Sequence, residues 1–255
     1  MTRRNKAYLS CFGTVQIYKR NPIVIAWWSA AFPGFGHMLL NMHLKGNILF
    51  LCEILINVFS RLNLSMMYTF TGAFEEAGLV LDPRWSLIYL PFYSFCIWDS
   101  YRSAVDMNKL TCLVDPEPVR MKVFDMNDFE ICYLDKRIPW ISAAWSLLFP
   151  GLGQLYARRT LTAFSLLLWT LVITYFSHDL QGLVLLMNGC VTESTQVIDM
   201  EWILFFPSLI FGSAFDAYTS TIASNRLFDK ELDDYLKDNW SPDWRFLYKK
   251  GRMYP

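Results

Sequence analysis

Apolar residues in this chain are gathered into long runs rather than interleaved with polar ones. Four runs hold few charges: Leu44 to Leu64, Trp85 to Val105, Leu161 to Ser177 with its flank, and Trp202 to Ile222. Each reaches the roughly 20 residues that cross a bilayer core as a helix. Two further runs, Pro22 to Met42 and Pro139 to Ala157, are interrupted by Phe32-Pro33-Gly34-Phe35-Gly36 and Phe149-Pro150-Gly151-Leu152-Gly153. Proline removes a backbone donor and glycine admits φ > 0, so each of these predicts two half-length helices around a turn. The first 20 residues are polar and carry five basic residues without an apolar core, so no cleavable leader is expected.

The chain matches itself at an offset of 117 positions. Without a gap, residues 19–110 align with 136–227 and share 27 identities over 92 positions, where roughly six are expected by chance at ordinary composition. The identities include the Phe-Pro-Gly-x-Gly core, Glu76/Glu193, Asp82/Asp199, Asp99/Asp216, Tyr101/Tyr218 and Ser103/Ser220. A tandem membrane repeat is therefore expected, with copies at 19–110 and 136–227, an N-terminal segment 1–18, a linker 111–135 and a tail 228–255.

Basic residues orient such a chain, because they gather on the cytoplasmic side. Residues 1–21 and the linker region 105–138 carry five each and the tail from Ala223 carries seven, whereas 63–83 and 177–201 carry none. The N-terminus, linker and C-terminus are thus assigned to the inside, and each copy must cross an even number of times. A helix of 11 residues, Pro22 to Phe32, covers only about 16 Å, so the broken run is expected to enter and leave on the same side. The expected fold is all-α, with four spanning helices, two re-entrant hairpins and parallel copies in the cell membrane. The alternative, six spanning helices in inverted copies, places the basic linker outside.

Composition narrows function mainly by exclusion. Hydrophobic residues make up 54% and charged residues 18%, below the roughly 25% charge of soluble domains. Lys+Arg and Asp+Glu balance at 23 each, leaving no basic excess for nucleic acid. Six cysteines without paired spacing and three histidines without ligand spacing predict neither a disulfide framework nor a metal site. No cofactor is expected. Nucleophile-elbow, Walker and dinucleotide fingerprints are missing, so no enzymatic activity is expected. The bilayer itself, with a membrane-protein neighbour or a second copy, is the expected partner.

Asp99 and Asp216 fall near the inner ends of the last spanning helices, and an ionisable residue there is a functional candidate. In Asp-x-Tyr-x-Ser the Ser103 and Ser220 hydroxyls share a face with the carboxylates, with Tyr101 and Tyr218 to the side. Arg102 is placed to pair with Asp99. His37 and Gln154 follow the turns at equivalent positions. Pro33, Gly34, Gly36, Pro150, Gly151 and Gly153 are expected to shape the turns and to bring the two copies together at a central interface.

The segment Trp145-Ser146-Leu147-Leu148-Phe149-Pro150-Gly151-Leu152-Gly153-Gln154-Leu155-Tyr156, followed by an apolar helix and Asp216-Ala217-Tyr218, resembles small bacterial membrane proteins of the two-transmembrane-helix domain type. The first copy departs from that pattern, with His37 for the Gln and Leu39 for the Tyr. The resemblance implies an integral membrane protein from a group without one agreed biochemical activity. Two roles remain open: a scaffold or complex subunit, and a small transporter or channel whose path the turns and aspartates line.

Overall fold

The computed structural model describes residues 7–10, 13–114, 124–126 and 131–239. Parts of the expected N-terminal segment, linker and tail lie outside the described residues.

The chain is mostly helical, as expected of an all-α fold, and two small antiparallel hairpins are added to the helices. Strands β1 (Ala7–Ser10) and β2 (Gly13–Gln16) pair with Ala7 opposite Gln16, and β3 (Phe124–Met126) and β4 (Ile131–Tyr133) pair with Phe124 opposite Tyr133. Strands this short escape a search for periodicity, and an isolated hairpin is marginal in water. Here they rest on the helices: Ala7 joins Leu134 and Leu227 in a small buried cluster.

The first half then runs α1 (Pro22–Ala31), α2 (Phe35–Leu39), α3 (His43–Ser60), α4 (Leu62–Phe70), α5 (Phe74–Val80) and α6 (Pro83–Val114). The second runs α7 (Pro139–Leu148), α8 (Leu152–Tyr156), α9 (Thr160–Ser177), α10 (Asp179–Met187), α11 (Val191–Val197), α12 (Met200–Ile203) and α13 (Phe205–Asn239). From α1 to α5, every start and end recurs 117 positions later in α7 to α11.

Local chemistry explains these boundaries. Asn21 caps α1 by accepting from the Ile23 amide at 2.9 Å, with Pro22 in the first turn. The helix ends at Phe32, whose extended backbone (φ −155°) is what a following proline demands. Gly34 (φ 92°) and Gly151 (φ 104°) then turn the chain through the left-handed region. Four non-glycine residues also have positive φ, and they too fall in pairs: Asn41 (61°) with Arg158 (55°), and Arg61 (54°) with His178 (54°). Asp82 and Asp199 cap the next helices, accepting from the Arg84 amide at 2.8 Å and the Glu201 amide at 2.9 Å. Their backbone amides donate to the Ser60 and Ser177 carbonyls at 3.0 and 2.9 Å. In the second half a turn at Leu204 separates α12 from α13. Pro207 lacks the N–H that would bond the Ile203 carbonyl one turn back.

Three helices are long and apolar enough to cross a membrane: His43–Ser60, Thr160–Ser177 and Met200–Lys237. The helix α6 does not join them, because its Trp, Tyr and Ser content and the Asp99 and Arg102 charges reduce its apolarity. The expectation of four such helices is met by three. The helix α3 is apolar on its outer surface as well as toward the core, where Leu49, Phe50 and Ile54 are buried. Leu44, Ile48, Leu51, Leu55 and Phe59 form an exposed apolar stripe, while Glu53, Asn57 and Ser60 point inward. In α9 the stripe is Leu161, Phe164, Leu168, Leu171 and Tyr175, with Thr162, Thr170 and Ser177 buried.

The core lies between the two halves. Phe32 stacks on Phe50 at 3.9 Å and Phe50 on Trp169 at 4.8 Å. Trp28 lies 5.2 Å from Phe215.

Candidate functional site

The two aspartates each sit beside the short helix that follows the broken turn, but with different partners. In the first half the Asp99 carboxylate lies 2.6 Å from His37 Nε2 and 2.5 Å from Lys45 Nζ. Asp99 is a sixth exposed and Lys45 nearly half, so water reaches this cluster. In the second half Gln154 stands where His37 did and donates to Asp216 at 3.2 Å and to the Ser213 carbonyl at 2.7 Å. Ser146 donates to the Gln154 oxygen at 3.1 Å. Arg159 supplies the countercharge, with Nη1 2.6 Å from both Asp216 oxygens. This pair is buried.

Arg159 also joins the halves. Its Nη2 donates to the Asn41 Oδ1 at 2.7 Å. A second polar bridge lies nearby, where Asn47 donates to Ser165 at 3.1 Å and accepts from the Trp169 indole at 2.9 Å.

Other expected site residues stand apart from the carboxylates. Tyr101 is exposed, and Tyr218 packs on Trp140 at 4.9 Å. Ser220 donates to the Ala217 carbonyl of its own helix at 3.3 Å, and Ser103 has no hydrogen bond to Asp99 among the described residues. The Asp-x-Tyr-x-Ser pattern therefore does not assemble as a unit. Arg102 does not pair with Asp99; its guanidinium lies over Trp98, 5.8 Å from the ring centre.

The turn residues behave differently from the expected central interface. A Cβ at Gly36 would lie 2.3 Å from Ser29 Oγ, and one at Gly153 would lie 2.0 Å from the Ser142 carbonyl. Gly34 faces Gly46 and Phe50, and Gly151 faces Ala163 and Leu167. All four glycines thus close a hairpin onto helices of its own half. Pro33 and Pro150 occupy the turns themselves. Contact between halves is made by larger residues, among them Phe35, whose ring fills the space beside Gly212 of α13.

A second buried polar group is not foreshadowed by any sequence motif. Glu53 accepts from the Tyr89 hydroxyl at 3.0 Å and from Asn57 at 3.4 Å. Asn57 also donates to Asn63 at 3.2 Å, and Asn63 donates to the Glu201 carbonyl at 2.8 Å. Glu201 in turn accepts from the Leu64 amide at 2.8 Å. Glu53 Oε2 and Glu201 Oε1 are buried and unpaired among the described residues. A lone acid in an apolar run was the available signal for Glu53; of its two partners Asn57 is one turn on in the same helix, but Tyr89 comes from α6.

Where the chain enters α1 and α7, one asparagine holds each start. Asn108 accepts from the Arg20 amide at 2.9 Å and donates to its carbonyl at 2.7 Å. Asn225 makes the same two bonds to Arg137, at 2.9 and 2.7 Å. Next to the first of these clamps, burial pushes the Tyr18 phenol above its ordinary pKa and draws the Arg20 guanidinium below its own.

Among the described residues no cluster of three or more His, Cys, Asp or Glu could hold a metal ion. No family model, curated protein or solved structure matches the chain.

Proposed function

We propose that the chain is a non-catalytic, multi-pass protein of the cell membrane that serves as a scaffold or subunit of a membrane complex. On this reading two parallel copies each contribute two spanning helices and one re-entrant hairpin, with both termini cytoplasmic. The shared 117-residue offset of element boundaries, positive-φ positions and asparagine clamps supports the paired copies. α6 counts as a spanning helix here because it exposes Leu87, Ile88, Leu90 and Phe95, as a lipid-facing surface does. The ten-residue helices α1 and α7 extend about 15 Å, half the core thickness, which suits re-entry.

One observation carries the assignment of role: both aspartates are closed by their own cations, Asp99 by Lys45 and Asp216 by Arg159. Paired in this way they join helices to one another, and neither carboxylate is left free to bind a passing solute. The test is reconstitution of the purified chain. Proteoliposomes should show no cation, proton or solute flux above protein-free vesicles, and crosslinking in native membranes should recover the chain with a defined neighbour or a second copy. Flux that Asp99→Asn with Asp216→Asn abolishes, while folding is kept, would overturn the reading.

A specific feature favours the second reading, a small transporter or channel. Glu53 is an acid within an apolar helix with no cation paired to it among the described residues, linked through Asn57 and Asn63 to Glu201. Such a residue is the usual mark of a proton or ion path. Flux lost in Glu53→Gln would support this role.

A further inference from the structure

A cavity of about 510 Å³ opens between the segment entering α1 and the middle of α13, so it draws one wall from each half of the chain. Four cations line it: Lys19, Arg20, Arg226 and Lys230. No Asp or Glu is among the described residues that line it. Arg226 and Lys230 are one helical turn apart and share a face of α13. Neither they nor Lys19 forms an ion pair among the described residues. Arg20 is held in place by the Asn108 clamp on its backbone and packs over Tyr18, 4.4 Å from the ring centre. Tyr18 also lines the cavity, and its buried hydroxyl has no partner among the described residues.

Four like charges gathered around one hollow repel each other unless an anion sits among them. Apart from the cations the wall is mixed: Gln16, Asn21 and Thr219 are polar, while Val24, Ile25, Phe215, Ile222, Ala223 and Leu227 make an apolar part. Beside Val24, the neighbouring residues Ile23 and Trp27 of α1 are about 70% exposed, so the apolar wall runs out onto a surface suited to acyl chains. A soluble phosphate would use the cations and leave this wall idle, whereas an amphiphile would use both.

We propose that this cavity binds the headgroup of an anionic phospholipid, with its phosphate among Lys19, Arg20, Arg226 and Lys230 and its chains along α1. The inference rests on the membrane placement proposed above, though not on the scaffold role. It assigns a lipid site to the junction of the halves at the basic side of the molecule, where anionic headgroups concentrate.

The test uses the full chain in neutral detergent and native mass spectrometry, titrating phosphatidylglycerol, phosphatidylcholine or inorganic phosphate. One phosphatidylglycerol should bind per chain, with phosphatidylcholine much weaker. The double variant Arg226→Gln with Lys230→Gln should bind it roughly thirtyfold more weakly, the effect of two interfacial cations. Lys109→Gln, the equivalent position in the first half, pairs with Asp106 outside the cavity and should change nothing. Equal binding by the double variant with an unchanged melting temperature means nonspecific annular lipid and overturns the site. Displacement of the lipid by millimolar inorganic phosphate overturns the lipid as ligand. A separate flotation assay reports on the membrane placement: a chain that does not float with liposomes sinks that placement and the lipid site together, whereas a floating chain without selective binding sinks the site alone.

Discussion

Arg159 and Asp216 form a buried ion pair in which one guanidinium nitrogen lies 2.6 Å from both carboxylate oxygens. The pair is not equivalent to the one in the first half, because Arg159 replaces Met42 in the alignment and Lys45 is replaced by Thr162. The two halves thus reach the same neutralisation from different positions on the chain.

Removing one partner of such a pair leaves an uncompensated buried charge. Arg159→Met should destabilise the protein by about 3–5 kcal/mol, read as a fall in melting temperature in detergent. Arg159→Met combined with Asp216→Leu should recover much of that loss. Lys45→Met should cost about 1 kcal/mol or less, because Lys45 is 43% exposed and its pairing is screened. Equal losses at the two sites would contradict the difference in burial.

The glycines separate by surroundings. Gly153→Ala places a methyl 2.0 Å from the Ser142 carbonyl and 2.2 Å from Ser146 Oγ, and should cost about 1–3 kcal/mol through overpacking. Gly78 lies in α5, where an added methyl would meet nothing within 4 Å, so Gly78→Ala should stabilise by about 0.5–1 kcal/mol. Melting curves of the two variants side by side check the sign of each.

Asn108→Ala and Asn225→Ala each remove two hydrogen bonds to the backbone that begins a broken hairpin. Each should lower stability by about 1–3 kcal/mol, and their effects should add, since the clamps share no partner. Amide exchange should rise at the start of α1 in the first variant and at the start of α7 in the second. Faster exchange at both starts in either variant would refute independent clamps.

Much of this was legible in the chain. Pro33, Gly34, Pro150 and Gly151 announce the breaks because their backbone limits act locally, whereas Asp82 and Asp199, which the sequence marks only as an identity between the copies, prove to be helix caps. The roles of Arg159 and Lys45 were not legible. As basic residues they bear only on orientation, and their carboxylate partners are 57 and 54 positions away. Glu53 was hidden for a related reason, as its partner Tyr89 lies on another helix, 36 positions away. The hairpins β1–β2 and β3–β4 are too short for alternation to stand out, and they depend on contacts with distant residues such as Leu227.

Orientation can be read by labelling. With native cysteines replaced, single cysteines in 105–135 should resist an impermeant thiol reagent in intact cells, and those in 185–200 should react. Labelling of the 105–135 region would support six spanning helices in inverted copies instead.

The 35 residues of α13 have a consequence beyond packing. At 1.5 Å per residue they make a rod of about 52 Å, far longer than the roughly 30 Å core. If the bilayer ends near Ile222, about 25 Å of the rod lies beyond it, its base held by the Asn225 clamp and by Leu227 against Ala7 and Leu134. On that condition the end of α13 at Asn239 sits at a set standoff from the lipid surface, and the helix works as a ruler as well as a span.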